Sequence, residues 1–372
     1  MPDTDDLDLG ENDYEEEPEG FPPPERRIVT NAYDLSLNTL VEQWDDQILV
    51  VPPMQREFVW DRGRASRLME SLMLNIPVPP VFLAENEDAT FDIIDGQQRI
   101  HSIVTFMKNE YALYGLRMQQ ELARLRFHQL PQREQRFLRS RVIRAIIVGI
   151  ESHPQMRFEI FRRLNTGAVA LNAQEVRNAL NQGLLNDLLK TLETDARFRQ
   201  CMGSERPRRR MVDQELVLRF FALSDGLRNY RPPLDRLLNN FMDGHRRATT
   251  TLTDKLRDRF LRAAEFNARL FPAGAFRPFG RNGKPTERSV NRALYDAQMI
   301  PTIWLRPADI SESIVEQIHE NGSKLFQTFL FRDAIQRATG DRSRTFTRIH
   351  AWAKLLEDSG VDLDIPAWIR TN

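Results

Sequence analysis

Residues 91–107 read FDIIDGQQRIHSIVTFM, and no other stretch limits the fold so tightly. Phe91, Ile93 and Ile94 give the aromatic and β-branched character of a strand. Directly behind Asp95-Gly96-Gln97-Gln98-Arg99, the apolar residues Ile100, Ile103, Val104 and Met107 share one face of a helix. A strand therefore turns straight into a helix through five residues, none of them apolar. A helix amino terminus presents backbone N–H groups and the positive end of the peptide dipoles, so anions bind there. Gly96 lets a ligand approach the backbone, and Arg99 can grip phosphate oxygens in a bidentate way. Gln97 and Gln98 can orient a phosphate or an attacking water. Asp95 can hold Mg²⁺, accept a proton or bond a ribose hydroxyl. A purely structural reading competes with these roles: Asp95 as the helix N-cap, Gly96 relieving a tight turn, and the rest as solvated first-turn polarity.

The flanking patterns mix strands and helices. IVTNAYDLSLNTLVEQW suggests a short lead-in and then a helix, and ILVV (48–51) is strand-like before Pro52-Pro53 ends it. Asp61 is placed to cap a helix in which Ala65, Leu68, Met69, Leu72 and Met73 form a core face. Val81–Ala84 pairs as a hairpin with FDII (91–94) across the polar ENEDAT, and RVIRAIIVGI (141–150) is the last clear strand. Beyond about residue 155 helical stripes take over. Asn172 with Glu175 resembles a capping box, Leu184, Leu185, Leu188, Leu189 and Leu192 form a stripe, and Asp213 opens a helix that buries Phe220 and Phe221. TFTRIHAWAKLL supplies a final helix, while FPAGAFRPFGRNGKP (271–285) interrupts the helical part. The expected class is α+β, with a small mixed-sheet domain over 28–155 and a mainly helical domain over 156–372.

Charge is distributed unevenly. Residues 1–25 carry eleven Asp/Glu and no Lys/Arg, which leaves 52 basic against 42 acidic residues in the remainder. Residues 1–27 are acidic, proline-rich and poor in apolar side chains, so they are expected to be disordered. Two roles suit such a tail: a solubilising segment, or a nucleic-acid mimic that covers the basic body. Arg outnumbers Lys by 46 to 6, and ERPRRR (205–210) is the local cluster, reading first as a solvated loop. One cysteine, Cys201, excludes an intrachain disulfide and a zinc site built on a Cys cluster. The six histidines show no HxxxH or HExxH spacing, so neither zinc nor haem is expected. No run is long and apolar enough for a membrane span, and a cytoplasmic protein is expected.

VVPPMQREFVWDRGRASRLMESLMLNIPVPPVFLAE followed by IIDGQQRIHSIVTFM resembles the amino-terminal domain of the GmrSD-type modification-dependent restriction endonucleases, a ParB/sulfiredoxin-like family. FRRLNTGAVALNAQEVRNAL (161–180) is similar to that family's second signature. The resemblance implies nucleoside triphosphate binding and hydrolysis with Mg²⁺ at the DGQQR corner, in the setting of DNA restriction or phage defence. It places Asp95, Gln97, Gln98 and Arg99 in catalysis and Gly96 beside the nucleotide, with Gln55 and Arg56 of the PMQR turn as neighbours. Where the family often has Leu-Thr-Thr after DGQQR, this sequence has Ile100-His101-Ser102. Ser102 replaces one hydroxyl, and His101 is read as a surface histidine or a catalytic base. Asn165 in FRRLNTGAVALN lies beside the nucleotide or simply in a turn between helices. Arg162 and Arg163 are phosphate partners by analogy and surface charges by default. The HNH nuclease of long family members is not recognisable, so cleavage of DNA is expected to need a separate nuclease or defence partner. The alternative is a DNA- or partner-binding module that keeps the fold without the chemistry.

Overall fold

The computed structural model describes residues 27–51, 60–164, 171–306 and 310–370. The expected tail (1–27) falls almost entirely outside the described residues, as do Gln55, Arg56 and the Asn165-Thr166-Gly167 turn. The fold is α+β, as expected, and the chain divides into two compact units at residues 172 and 173.

The first unit is built on a five-stranded mixed sheet. Its strands are β1 (Thr30–Ser36), β2 (Leu49–Val50), β3 (Val81–Glu85), β4 (Phe91–Asp95) and β5 (Val142–Val148), in the order β1-β5-β3-β4-β2. β3 and β4 form the expected antiparallel hairpin, with Leu83 opposite Ile93, and β3 runs parallel to β5 with Val81 opposite Ala145. β1 was not expected: TNAYDLS holds residues that favour turns. It is a strand because it lies antiparallel against β5 over its whole length, Thr30 opposite Val148 and Ser36 opposite Val142. The β5 backbone supplies the hydrogen-bonding partner that propensity alone does not provide.

Helices α1 (Leu37–Asp45), α2 (Arg62–Met73), α3 (Gln97–Met107), α4 (Gln132–Ser140) and α5 (Pro154–Leu164) complete the unit. Asp61 caps α2 as its sequence suggests, its carboxylate accepting from Arg64 N at 2.7 Å, and Ala65, Leu68, Met69, Leu72 and Met73 are all buried. The same helix carries two buried polar residues that the apolar pattern does not explain. Ser66 accepts the Tyr114 amide at 2.9 Å, and Glu70 accepts the amides of Arg117, Met118 and Gln119 at 2.9, 2.7 and 3.0 Å. Together they fasten the segment that follows α3 onto α2.

The second unit is helical, from α6 (Ala173–Leu180), α7 (Leu184–Glu193), α8 (Ala196–Met202), α9 (Val212–Gly226) and α10 (Leu234–Gly244) to α11 (Thr250–Leu270), α12 (Arg292–Met299), α13 (Glu312–Leu325), α14 (Phe329–Gln336), α15 (Arg342–Asp358) and the short α16 (Ala367–Arg370). The core contains Leu189, Phe220, Phe221, Ile349, Trp352 and Leu356, as their helical spacing requires. Asp213 does not cap α9. It lies fully buried and takes two guanidinium groups, with Arg199 at 2.8 Å and Arg208 at 2.7 Å.

Candidate functional site

Gly96 determines the shape of the DGQQR corner. It stands between the end of β4 and the start of α3 with φ +99°, in the left-handed region that glycine alone enters without strain. A Cβ at this position would lie 2.5 Å from Val81 Cγ1 and 3.1 Å from Arg99 Nη2, so the backbone approaches β3 too closely for a side chain. Gly96, not Asp95, is therefore the N-cap residue, and no side chain among the described residues caps α3. The purely structural account of Asp95 as a capping carboxylate fails for this reason. Asp95 ends β4, and its carboxylate is left for another partner.

That partner is Arg99. Its Nη2 lies 2.7 Å from Asp95 Oδ2 and donates also to the Pro80 carbonyl at 3.0 Å. The arginine side chain is 15% exposed and the aspartate 44%, so the pair spans the edge of the unit with the carboxylate on the wetter side. Arg99 Nε is sealed from solvent and makes no hydrogen bond among the described residues. Its Nη1 forms no hydrogen bond among the described residues, so the guanidinium keeps donor capacity that Asp95 and Pro80 do not use.

Gln97 begins α3 and is half-buried. Gln98 accepts the Trp60 amide at 3.2 Å through Oε1, and the Arg64 guanidinium lies 4.6 Å over the Trp60 ring. The chain entering α2 is thereby tied to the first turn of α3. Sequence reasoning did not single out Trp60 or the Pro80 carbonyl. Trp60 does close the PMQREFVW string, whereas nothing in a sequence marks which carbonyl will accept from an arginine.

Ser102 does not join the group at the surface. It is fully buried, and its hydroxyl donates to the Gln98 carbonyl at 2.7 Å, which points it back along its own helix. His101 stands edge-on to Trp44 with ring centroids 6.2 Å apart. Burial lowers its pKa despite the nearby Glu110 carboxylate, which favours the neutral imidazole. On α5, Glu159 holds both arginines of the second signature, Arg162 at 3.0 Å and Arg163 at 2.6 Å. Burial of Glu159 opposes its charge, but the two guanidiniums keep its carboxyl below the ordinary range. Among the described residues no group of three or more His, Cys, Asp or Glu side chains gathers to hold a metal, and no helix is long and apolar enough to cross a membrane.

In comparison with known families, residues 37–182 fit the family described as GmrSD restriction endonuclease, N-terminal domain. The matched region starts at the first residue of α1 and takes in β2 to β5, the DGQQR corner and α6, leaving β1 outside it. No curated protein and no solved structure matches the chain. Residues 37–182 are thus similar to the GmrSD restriction endonuclease N-terminal domain family, whose name is that of a DNA-restriction system.

Proposed function

We propose that the Asp95–Arg99 corner binds a nucleoside triphosphate and hydrolyses it, and that this turnover serves DNA restriction or anti-phage defence. The observation that carries the reading is the placement of Arg99. Its half-used guanidinium lies beside a helix amino terminus that begins on a left-handed glycine. A helix start of this kind directs first-turn N–H groups outward and favours anions. Charge that builds on the phosphoryl oxygens is met by these dipoles and by the Arg99 fork.

In the reaction, water attacks the terminal phosphorus as the phosphoric-anhydride bond breaks, giving a nucleoside diphosphate and phosphate. Gln97 orients the attacking water. Gln98 sets the position of the α2 entry through Trp60, and Asp95 holds Arg99 at the correct angle. Asp95 also suits a Mg²⁺ ion that is bound chiefly by the substrate's phosphates, because its Oδ1 has no protein partner among the described residues. The ion would supply neutralisation of phosphate charge.

The test is phosphate release from ATP, GTP, CTP and UTP with Mg²⁺, with and without DNA. Arg99→Ala is expected to lower turnover by about 10²–10³-fold, the usual effect of removing a donor to a transition-state oxyanion. Undiminished turnover in the variant, or none with any nucleotide in the folded wild type, would sink the reading.

A further inference from the structure

The helical unit carries a second concentration of arginine, away in sequence from DGQQR. Residues 203–210 hold four Arg and one Glu, and residues 277–292 hold four Arg, one Lys and one Glu. These two segments come together through the Arg277 guanidinium. Its Nη2 donates to the Met202 carbonyl at 2.6 Å, its Nη1 to Ala275 at 2.8 Å and its Nε to Arg288 at 2.8 Å. The Ala275 amide adds a 2.8 Å bond to the Cys201 carbonyl. Arg277 thus meets carbonyl oxygens and no carboxylate among the described residues.

Beneath this surface Asp213 is one carboxylate facing two guanidiniums, Arg199 and Arg208. The Arg199 side chain is 7% exposed, and its Nε and Nη2 have no hydrogen-bond partner among the described residues. At the surface Arg206, Arg209 and Arg288 are exposed and form no ion pair among the described residues. Arg210 pairs with Glu175 at 2.8 Å and Arg292 lies 3.8 Å from Glu215, whereas Arg206, Arg209, Arg277 and Arg288 stand without a carboxylate partner among the described residues. Burial, opposed by Asp213, and then the repulsion of Arg292 and Arg199 lower the Arg208 pKa; burial and the charge of Arg208 lower that of Arg277. A polyanion relieves such crowding, and planar guanidinium forks suit phosphate oxygens better than point charges do.

The geometry points to the surface formed by Arg206, Arg209, Arg277 and Arg288 as a docking site for the phosphate backbone of nucleic acid, separate in sequence and chemistry from the DGQQR corner. Its fixed, carbonyl-tethered Arg277 joins the two loops, and the exposed arginines around it contact successive phosphates. Binding there is electrostatic and salt-dependent, with little preference for sequence.

The experiment is fluorescence anisotropy of a labelled short DNA duplex against the full chain over a range of salt. The variant Arg206→Glu/Arg209→Glu/Arg288→Glu is compared with Arg133→Glu/Arg136→Glu/Arg139→Glu, which makes the same charge change on exposed positions of α4. The first is expected to weaken binding by more than about tenfold and to reduce the slope of log K against log salt by about 3. The α4 variant is expected to retain most of the slope. Equal losses in both, an unchanged first variant, or no binding by wild type would overturn the proposal. Should the triple variant not fold by circular dichroism, the single reversals Arg206→Glu and Arg288→Glu are each expected to lower the slope by about 1. Phosphate release measured on the same samples keeps failure of this site distinct from failure of the corner.

Discussion

Gly96 joins two constraints at a single residue. Its positive φ strains any side-chain-bearing residue, and Val81 occupies the space where a Cβ would go. Gly96→Ala is expected to destabilise the protein by about 1–3 kcal/mol, from the left-handed strain and the displaced Val81 together. Chemical denaturation checks this. The loss in Gly96→Ala/Val81→Ala is expected to be smaller than the sum of the single losses, because removing the valine methyls relieves the overlap. His101 illustrates the opposite case, a residue whose type suggests chemistry and whose surroundings restrain it. Its folded pKa lies below the ordinary histidine value, so its protonation opposes folding, and the stability it gives is present above about pH 6.5 and falls as the pH drops.

At the scale of elements, two buried carboxylates organise their neighbourhoods. Glu70 on α2 gathers three successive amides, 117–119, and Ser66 one turn earlier gathers a fourth. Burial opposes the charge of Glu70, yet the amides of Gln119, Met118 and Arg117 hold its carboxyl below the ordinary range. The stabilisation is accordingly complete above the unfolded pKa near 4.5 and disappears as the pH falls through the lower folded value. Glu70→Ala is expected to cost about 2–3 kcal/mol at neutral pH and to speed hydrogen exchange at amides 117–119. The gap in stability between wild type and variant should narrow on acidification below pH 4.5. In the helical unit Asp296 on α12 binds Arg219 of α9 at 2.6 and 2.7 Å and Arg348 of α15 at 2.6 Å, all three side chains being buried. Asp296→Asn leaves both guanidiniums without their counter-charge. An unfolding loss of about 3–5 kcal/mol is expected by denaturant titration, against well under 1 kcal/mol for an exposed pair such as Arg306 with Asp364.

For the whole molecule, a formal charge of −1 conceals an acidic leader of eleven carboxylates and a body with 52 basic and 42 acidic residues. Charge on the acidic segment opposes a polyanion wherever the two come within a Debye length, about 10 Å at 0.1 M salt. Replacing the Asp and Glu of residues 1–25 by Asn and Gln is expected to tighten binding of the DNA duplex at low salt and to have little effect near 1 M. Anisotropy titrations of the full-length variant provide the check, and unchanged affinity at low salt would show that the leader has no electrostatic influence on the body.

The sequence by itself determined the elements whose signals are local. The β3–β4 hairpin, the strand-to-helix corner, the Asp61 cap and the apolar faces of α2 and α15 follow from period, turn chemistry and capping over a few residues. The DGQQR string marked the candidate site for the same reason, since its residues are consecutive. Tertiary structure alone decided what depends on residues distant in the chain. β1 exists because β5 pairs with it, and Asp95 faces Arg99 because Gly96 takes over the helix start. Gln98 meets Trp60 from 38 positions away, and Glu70 meets amides nearly fifty positions later. A buried polar side chain requires a partner, but its own residue type does not say which donor the fold will bring to it.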